Sequence, residues 1–255
     1  MSSLVSGAAV PEWLRRVAAG VPADPDRVNP IVARYAAAEP NARKAAVLVL
    51  ISGARDGSGL PGDAEVLLTQ RASTLRQHRG QIAFPGGGAD PEDDGPVATA
   101  LREAEEETGL DPASVAPIAV WPGIFVPPSR FDVTPVVGYW HTPGDVRVVD
   151  PNEAERVMRV PVATMLDPAN RFVVRHPLGY YGPAFSVDGV VVWGFTGGIL
   201  AGLFALSGWE VPWDTTDVRD LEATLAAAGM AESLVKPPEM DSPSLRGVAR
   251  EGGIR

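Results

Sequence analysis

The sequence predicts an α/β (α+β) protein: a sandwich with a mixed sheet. Three observations lead there. Short apolar, β-branched runs recur along the chain, from Ala45 to Val192. Two helical stretches accompany them, one among the runs after Gly95 and one following the last of them after Gly197. Asp188-Gly189 joins two of the runs with a strong hairpin signal. Strands interleaved with helices and hairpins pack as layers around a mixed sheet. At 255 residues, one domain with appendages is the simplest count. The expected division is an N-terminal helical extension over 1–40, a central domain over 41–209, and a partly disordered extension over 210–255.

In chain order, Pro11 to Val17 predicts a short amphipathic helix with Trp13, Leu14 and Val17 inward, and Asn29 to Ala38 a second. Ala45 to Ser52 is continuously apolar and reads as a buried strand. Gly53 to Gly62 is a glycine- and aspartate-rich loop, and Glu65 to Thr69 is the next strand, ending at Arg71. Gly86 to Gly88 open a loop that passes through Asp90, Asp93 and Asp94 into a helix. Pro96 suits that helix's first turn, and Gly109 the left-handed position after its last. Val97, Leu101 and Ala104 form its apolar stripe.

Val115 to Trp121 and Phe131 to Tyr139 read as strands, with Pro122 to Arg130 a loop lining the pocket. Pro135 predicts an edge or a bulge in the second strand. Arg171 to Arg175, Tyr180 to Val187 and Val190 to Trp193 are further strands, and Gly197 to Leu206 is the closing helix. Gly189 to Trp209 carries no charge and is about long enough to span a membrane. Its β-branched start and the Gly197-Gly198 pair argue instead for a buried strand and helix. Leu221 to Ala228 is a candidate helix, and Lys236 to Arg255 reads as a tail.

Composition removes several function classes. No cysteine is present, so neither a disulfide framework nor a zinc–thiolate site can form. The net charge of −10 disfavours broad electrostatic binding to nucleic acid. The first residues lack a secretory pattern, so a cytoplasmic location is expected, with neither nucleic acid nor membrane as partner. Oligomeric state is open, a homodimer being among the options.

The chemistry concentrates on the helix after Gly95. Glu103, Glu106 and Glu107 stand at i, i+3 and i+4, within one helical sector. Like charges at that spacing destabilise an isolated helix, and a divalent cation with oxygen ligands would offset the cost. Upstream, Arg71, Arg76, His78 and Arg79 cluster before the glycines, and arginine forks suit phosphate oxygens.

The residues Arg102-Glu103-Ala104-Glu105-Glu106-Glu107-Thr108-Gly109-Leu110 resemble the core of the Nudix box, R-E-U-x-E-E-x-G-U with U apolar; Ala104 is small for that place. The box's upstream glycine and acid fit Gly87 and Asp93 with one extra residue before Arg102, or Gly88 and Asp94 by strict counting. Leu67-Leu68-Thr69-Gln70-Arg71, Leu75, His78, Gly80-Gln81 and Phe84-Pro85-Gly86-Gly87 resemble the signature of the coenzyme A pyrophosphatase branch. The resemblance runs from about Ala45 to about Leu206. It implies a Nudix-type α/β/α sandwich and metal-dependent cleavage of a nucleoside diphosphate linkage, with Mg²⁺ or Mn²⁺ as cofactor. A coenzyme A-type nucleotide would be the substrate; ADP-ribose, NADH, a nucleoside triphosphate or a non-catalytic binding module are the alternatives. Glu103 and Glu107 are the first expected ligands, with Glu106 a third ligand or the base. The Gly86 carbonyl and Glu153 join them, Glu155 being the fallback for Glu153. Arg102 is expected to orient Glu106 or the loop, Asp90 and Asp93 to brace that loop or reach the metal through water, and Arg71, Arg76, His78 and Arg79 to meet substrate phosphates, His78 being alternatively a hydrogen-bonder within its loop.

Overall fold

The computed structural model describes residues 10–19, 41–75, 78–127 and 129–231. The candidate helix at Asn29 to Ala38, the tail from Lys236, and Arg76 lie outside them. Twelve strands and five α-helices are assigned within the described residues.

Sheet A contains β1 (Arg43–Ser52), β2 (Glu65–Arg71), β3 (Ile82–Ala83), β4 (Gly86–Gly88), β5 (Val115–Val120), β6 (Ile124–Val126), β7 (Phe131–Trp140) and β8 (Ala154–Pro161). Its main path is β3-β2-β1-β7-β5, with β4 on β1, β6 on β7 and β8 on β2. β1 and β7 run parallel, and the other pairs antiparallel, so the sheet is mixed. Sheet B is β11 (Val190–Val192), β10 (Tyr181–Val187), β9 (Arg171–Arg175) and β12 (Val218–Asp220). Asp188 and Gly189 both have positive φ (49° and 80°), the two-residue turn that matches strand twist.

The helices are α1 (Arg15–Ala18), α2 (Pro96–Thr108), α3 (Val162–Leu166), α4 (Gly194–Ser207) and α5 (Leu221–Ala227). β1 shows how they cover sheet A. Ala46, Leu48 and Leu50 face α2, together with Ala100 and Ala104. Val49 and Ile51 point the other way, into a cluster shared with Phe172, Phe185, Leu200 and Phe204 of sheet B and α4. A strand covered on both faces reads as an unbroken apolar run. Trp13, Leu14, Val17, Leu221 and Leu225 join the second cluster, so segments on both sides of 41–209 share one core.

Three expectations are corrected here. The glycines after Pro85 form a strand, β4, pairing Gly86 with Val47 and Gly88 with Ala45. The Pro122 to Arg130 loop contains β6. Pro135 sits in β7, a central strand between β1 and β5 rather than at an edge. The central strand tolerates it because its N–H would face the break between β5 and β6. Its carbonyl points there too, accepting from Trp121 N at 2.9 Å. The irregularity expected at Pro135 is instead a register shift in β5, between Pro117 and Ala119.

The pairing along β1 creates the fork on which the rest depends. The C-terminal end of β1 pairs with β2 (Ile51 with Val66), and the N-terminal part with β4. Thus β2 diverges from β1, and β4 enters the opening.

Candidate active site

Helix α2 lies across this fork. Gly109 closes it with φ 67° and its N–H donates to Glu105 O at 2.8 Å. Ala100 and Ala104 are fully buried against β1, and Thr99 and Thr108 are fully buried too, with Val97 and Leu101 half-buried beside them. Two small residues at the interface bring the helix backbone close to the sheet, within reach of β4.

The three carboxylates of α2 share a helical sector but not an environment. Glu107 is 5% exposed, whereas the Glu106 side chain is 57% exposed. One residue is a 100° turn of the helix, and it carries Glu107 onto the packed side. Glu107 Oε2 accepts from Gly86 N at 3.3 Å, and Arg71 Nη1 lies 4.0 Å from its Oε1. Burial pushes the Glu107 pKa up to about 7, with Arg71 and the Gly86 N–H restraining the rise. The negative charges of Glu103 and Glu153 push it further in the same direction.

Glu103 occupies the space that Gly87 leaves. A Cβ at residue 87 would lie 2.6 Å from the Glu103 Cδ. Gly86 is equally constrained, since a Cβ there would lie 2.6 Å from the Val47 Cα. Burial raises the Glu103 pKa, and Arg102 offsets part of that rise.

Arg102 organises the polar side. Its Nε and Nη2 donate to the two oxygens of Asp93, each at 3.0 Å. Nη1 donates to Glu106 Oε2 at 3.0 Å and lies 3.0 Å from Glu103 Oε1, while Nη2 also donates to the Gly88 carbonyl at 3.0 Å. Asp90 is 3.8 Å away. The hydrogen bonds from Arg102 hold the Asp93 carboxyl far below the usual range, and Asp93 Oδ2 also accepts from Asp90 N at 2.9 Å. Arg102 therefore ties the acidic loop and the glycine strand to α2. Of the two acids that spacing allowed, it engages Asp93.

The upstream residues arrive from β2. A register shift between Gln70 and Arg71 re-aims Arg71 at the end of the strand, the usual effect of a bulge. Its buried Nε has no hydrogen-bond partner among the described residues. His78 has φ 55° and its Nδ1 lies 3.0 Å from Gln81 Oε1. Burial pushes its pKa below the ordinary value, favouring the neutral ring at pH 7. Arg79 is exposed on the same turn. Glu153 stands just before β8, its carbonyl accepting from Ala72 N at 2.9 Å. Glu155, the fallback, instead accepts from Ser73 N at 3.0 Å, and the hydrogen bonds from Ser73 lower its pKa.

The donor set fits a hard divalent cation. Glu107 is a buried carboxylate with one long hydrogen bond and a distant guanidinium. All nearby donors are oxygens, the type that Mg²⁺ and Mn²⁺ prefer. No group of three His, Asp or Glu side chains among the described residues is placed to hold an ion alone. Such ions ordinarily complete their shell with water and substrate phosphate. Spacing had not revealed two features: the bulge that aims Arg71, and the clearance at Gly87 that admits Glu103. The glycine triplet was the available signal for the second.

No described helix is long and apolar enough to cross a membrane. The NUDIX domain profile matches residues 42–177. A Citrobacter koseri protein named Uncharacterized Nudix hydrolase NudL is 38% identical over 174 residues, covering 63% of this chain and 80% of its own. The protein of that name from Escherichia coli K12 is 40% identical over 168 residues, with the same coverage. Among solved structures, a MutT/nudix family protein from Enterococcus faecalis is 15% identical with TM-score 0.42, over 78% of this chain and 68% of that one. The chain belongs to the Nudix hydrolases, a family that acts on nucleoside diphosphate derivatives and generally uses divalent metal ions.

Proposed function

We propose that this chain hydrolyses coenzyme A or an acyl derivative at its diphosphate, giving 4′-phosphopantetheine and adenosine 3′,5′-bisphosphate. The observation that carries this reading is the placement of the signature from Leu67 to Gly87. It runs through β2, the His78 turn and β4, and two of its residues lie against Glu107: Gly86 N donates to it at 3.3 Å and Arg71 Nη1 stands 4.0 Å away. This proximity supports assigning the signature residues and the family's acidic helix to one site.

Glu103 and Glu107, the Gly86 carbonyl and Glu153 would hold Mg²⁺ or Mn²⁺, with Glu106 the further carboxylate. Such an ion neutralises phosphate oxygens and lowers the pKa of bound water. Water attacks one phosphorus and the other phosphate leaves. Glu106, exposed and steadied by Arg102, is the candidate base for the water's proton. Arg102 itself orients, because its donors are taken up by Asp93, Glu106 and Gly88. Arg71, His78 and Arg79, with Arg76, would receive the substrate phosphates. Residues 41–209 are the proposed hydrolase domain, with 1–40 and 210–255 as extensions, working in the cytoplasm without nucleic acid.

The test is a panel of coenzyme A, acetyl-CoA, ADP-ribose, NADH and a nucleoside triphosphate, each with Mn²⁺ and Mg²⁺. Preferred cleavage of the coenzyme A compounds is expected. Cleavage of NADH with coenzyme A untouched would overturn the branch assignment. Binding without cleavage of any compound would favour a regulatory module, against which the presence of Glu103, Glu106 and Glu107 together argues.

A further inference from the structure

Arg71 and Glu107 are each incompletely satisfied, and each faces the other. At 4.0 Å their nearest atoms are beyond hydrogen-bond length. The Arg71 Nε is buried and has no acceptor among the described residues. A buried donor left in this way is costly, so a better acceptor would draw it. The side chain has room to respond, being 31% exposed. Its backbone does not: Arg71 N donates to Gln81 O at 2.9 Å, and Arg71 O accepts from Gly80 N at 3.0 Å. Glu107 is the complement, a buried carboxylate with one long bond from Gly86 N. Among the described residues Arg71 is the basic group paired with it.

We propose that Arg71 is a positioning residue that stands in for the cation at Glu107. It keeps the carboxylate company in the metal-free site, competes there with a divalent ion, and turns its fork to a phosphate oxygen once nucleotide enters. The guanidinium suits the second role, since its paired N–H donors match oxygens on one phosphorus. The exchange couples the two ligands. Nucleotide removes the competitor of the cation, and by reciprocity the cation frees the arginine for nucleotide. This rests on the Nudix reading for the ligand classes and adds to it the order of charge exchange.

The experiment uses the full chain stripped of metal, titrated calorimetrically with MnCl₂ alone and again with α,β-methylene-ADP present. Arg71→Gln should bind Mn²⁺ alone about 5- to 10-fold tighter than the wild type, the lower range of coupling between interacting sites. Its KM for the cleaved nucleotide should rise, whereas Arg71→Lys should keep wild-type Mn²⁺ affinity yet share the raised KM, because a point charge does not replace the fork. Equal or weaker Mn²⁺ binding by Arg71→Gln overturns the proposal. Should that variant not fold in a melting scan, Glu107→Gln decides instead. In EDTA it should bind the ADP analogue about fivefold tighter than wild type, since its arginine has no competing carboxylate; unchanged or weaker binding sinks the idea. A chain that binds no nucleotide would overturn the substrate reading and the phosphate half of the exchange, while the MnCl₂ arm alone would still decide whether Arg71 competes with the cation.

Discussion

Helices α2 and α4 are nearly the same length, 13 and 14 residues, and both end at a left-handed glycine, Gly109 and Gly208. They differ in what they leave uncovered. In α4 every residue from Thr196 to Phe204 is buried, between sheet B and the rest of the core. In α2 the packed side rests on small residues, Ala100 and Ala104 with Thr99 and Thr108, and the remaining surface carries an arginine and three glutamates, with a fourth, Glu107, tucked in beside them. A helix that is apolar all round is held by packing alone. One that packs through a narrow small-residue stripe can present charge at the edge of that stripe. Glu107 lies at that edge, half belonging to the core and half to the site. The contrast teaches that the acidity of α2 is tolerated because the helix is anchored elsewhere, and that its chemistry comes from the boundary.

The largest effect should come from removing the boundary charge. Glu107→Gln keeps the shape and an acceptor for the Gly86 N–H but not the charge. Turnover should fall by about 10²- to 10⁴-fold, the range for losing a group that acts in the reaction. Circular dichroism should show an unchanged fold. Near-normal kcat would mean that the buried carboxylate is structural and that the two helices differ less than argued.

A smaller effect on stability follows from the same group. The Glu107 carboxyl titrates at about 7 in the folded chain against an ordinary 4.5. The folded state therefore holds this proton more tightly than the unfolded state. The corresponding stability is fully present below pH 4.5 and is lost as pH rises through 7. In metal-free buffer the wild type should lose on the order of 3 kcal/mol between pH 4.5 and pH 8 relative to Glu107→Gln, at 1.36 kcal/mol per unit. Urea melts of both proteins across that range would measure the gap. A gap independent of pH would show that the carboxylate is ionised at no cost.

On the α4 side, Gly197 marks the closest approach of helix to sheet. A Cβ there would lie 2.8 Å from the Pro183 carbonyl oxygen of β10, which is backbone and cannot step aside. Gly197→Ala should cost about 1–3 kcal/mol through overpacking, despite alanine's better helix propensity. Thermal melting checks it, and a rise in Tm would mean that α4 is less tightly seated than the burial of its neighbours indicates.

The two helices also differ in how far their sequences disclosed them. The apolar runs of β1, β2, β5, β7 and β9 to β11, and both helices, were readable because burial on one or both faces writes a pattern of period 2 or 3.6. β4 was not, since three glycines carry no side-chain pattern and the strand is held by backbone pairing to β1. β8 was missed for a related reason: Glu155, Arg156 and Arg159 project from a strand that is half in water. Within the site, helical spacing brought Glu103, Glu106 and Glu107 together, and Arg102 with Glu106. It could not choose between Asp93 and Asp94, which the turn of the loop decides, or bring Arg71 to Glu107 across 35 intervening positions, which needs the bulge in β2.

The smallest expected change sharpens the contrast within α4 itself. Gly202 lies one and a half turns beyond Gly197, in the same buried helix, yet a Cβ there meets no atom within 4 Å. Alanine adds no clash at such a place, and it is favoured over glycine in a helix interior by about 1 kcal/mol. It also narrows the unfolded ensemble, which contributes in the same direction. Gly202→Ala should therefore stabilise by about 0.5–1 kcal/mol, raising Tm by about 1–4 °C for a chain of this size. Calorimetry alongside Gly197→Ala tests whether the two substitutions move in opposite directions. If both destabilise, the whole length of α4 requires glycine for close packing, and its tolerance would be as narrow as that of α2 at Glu107.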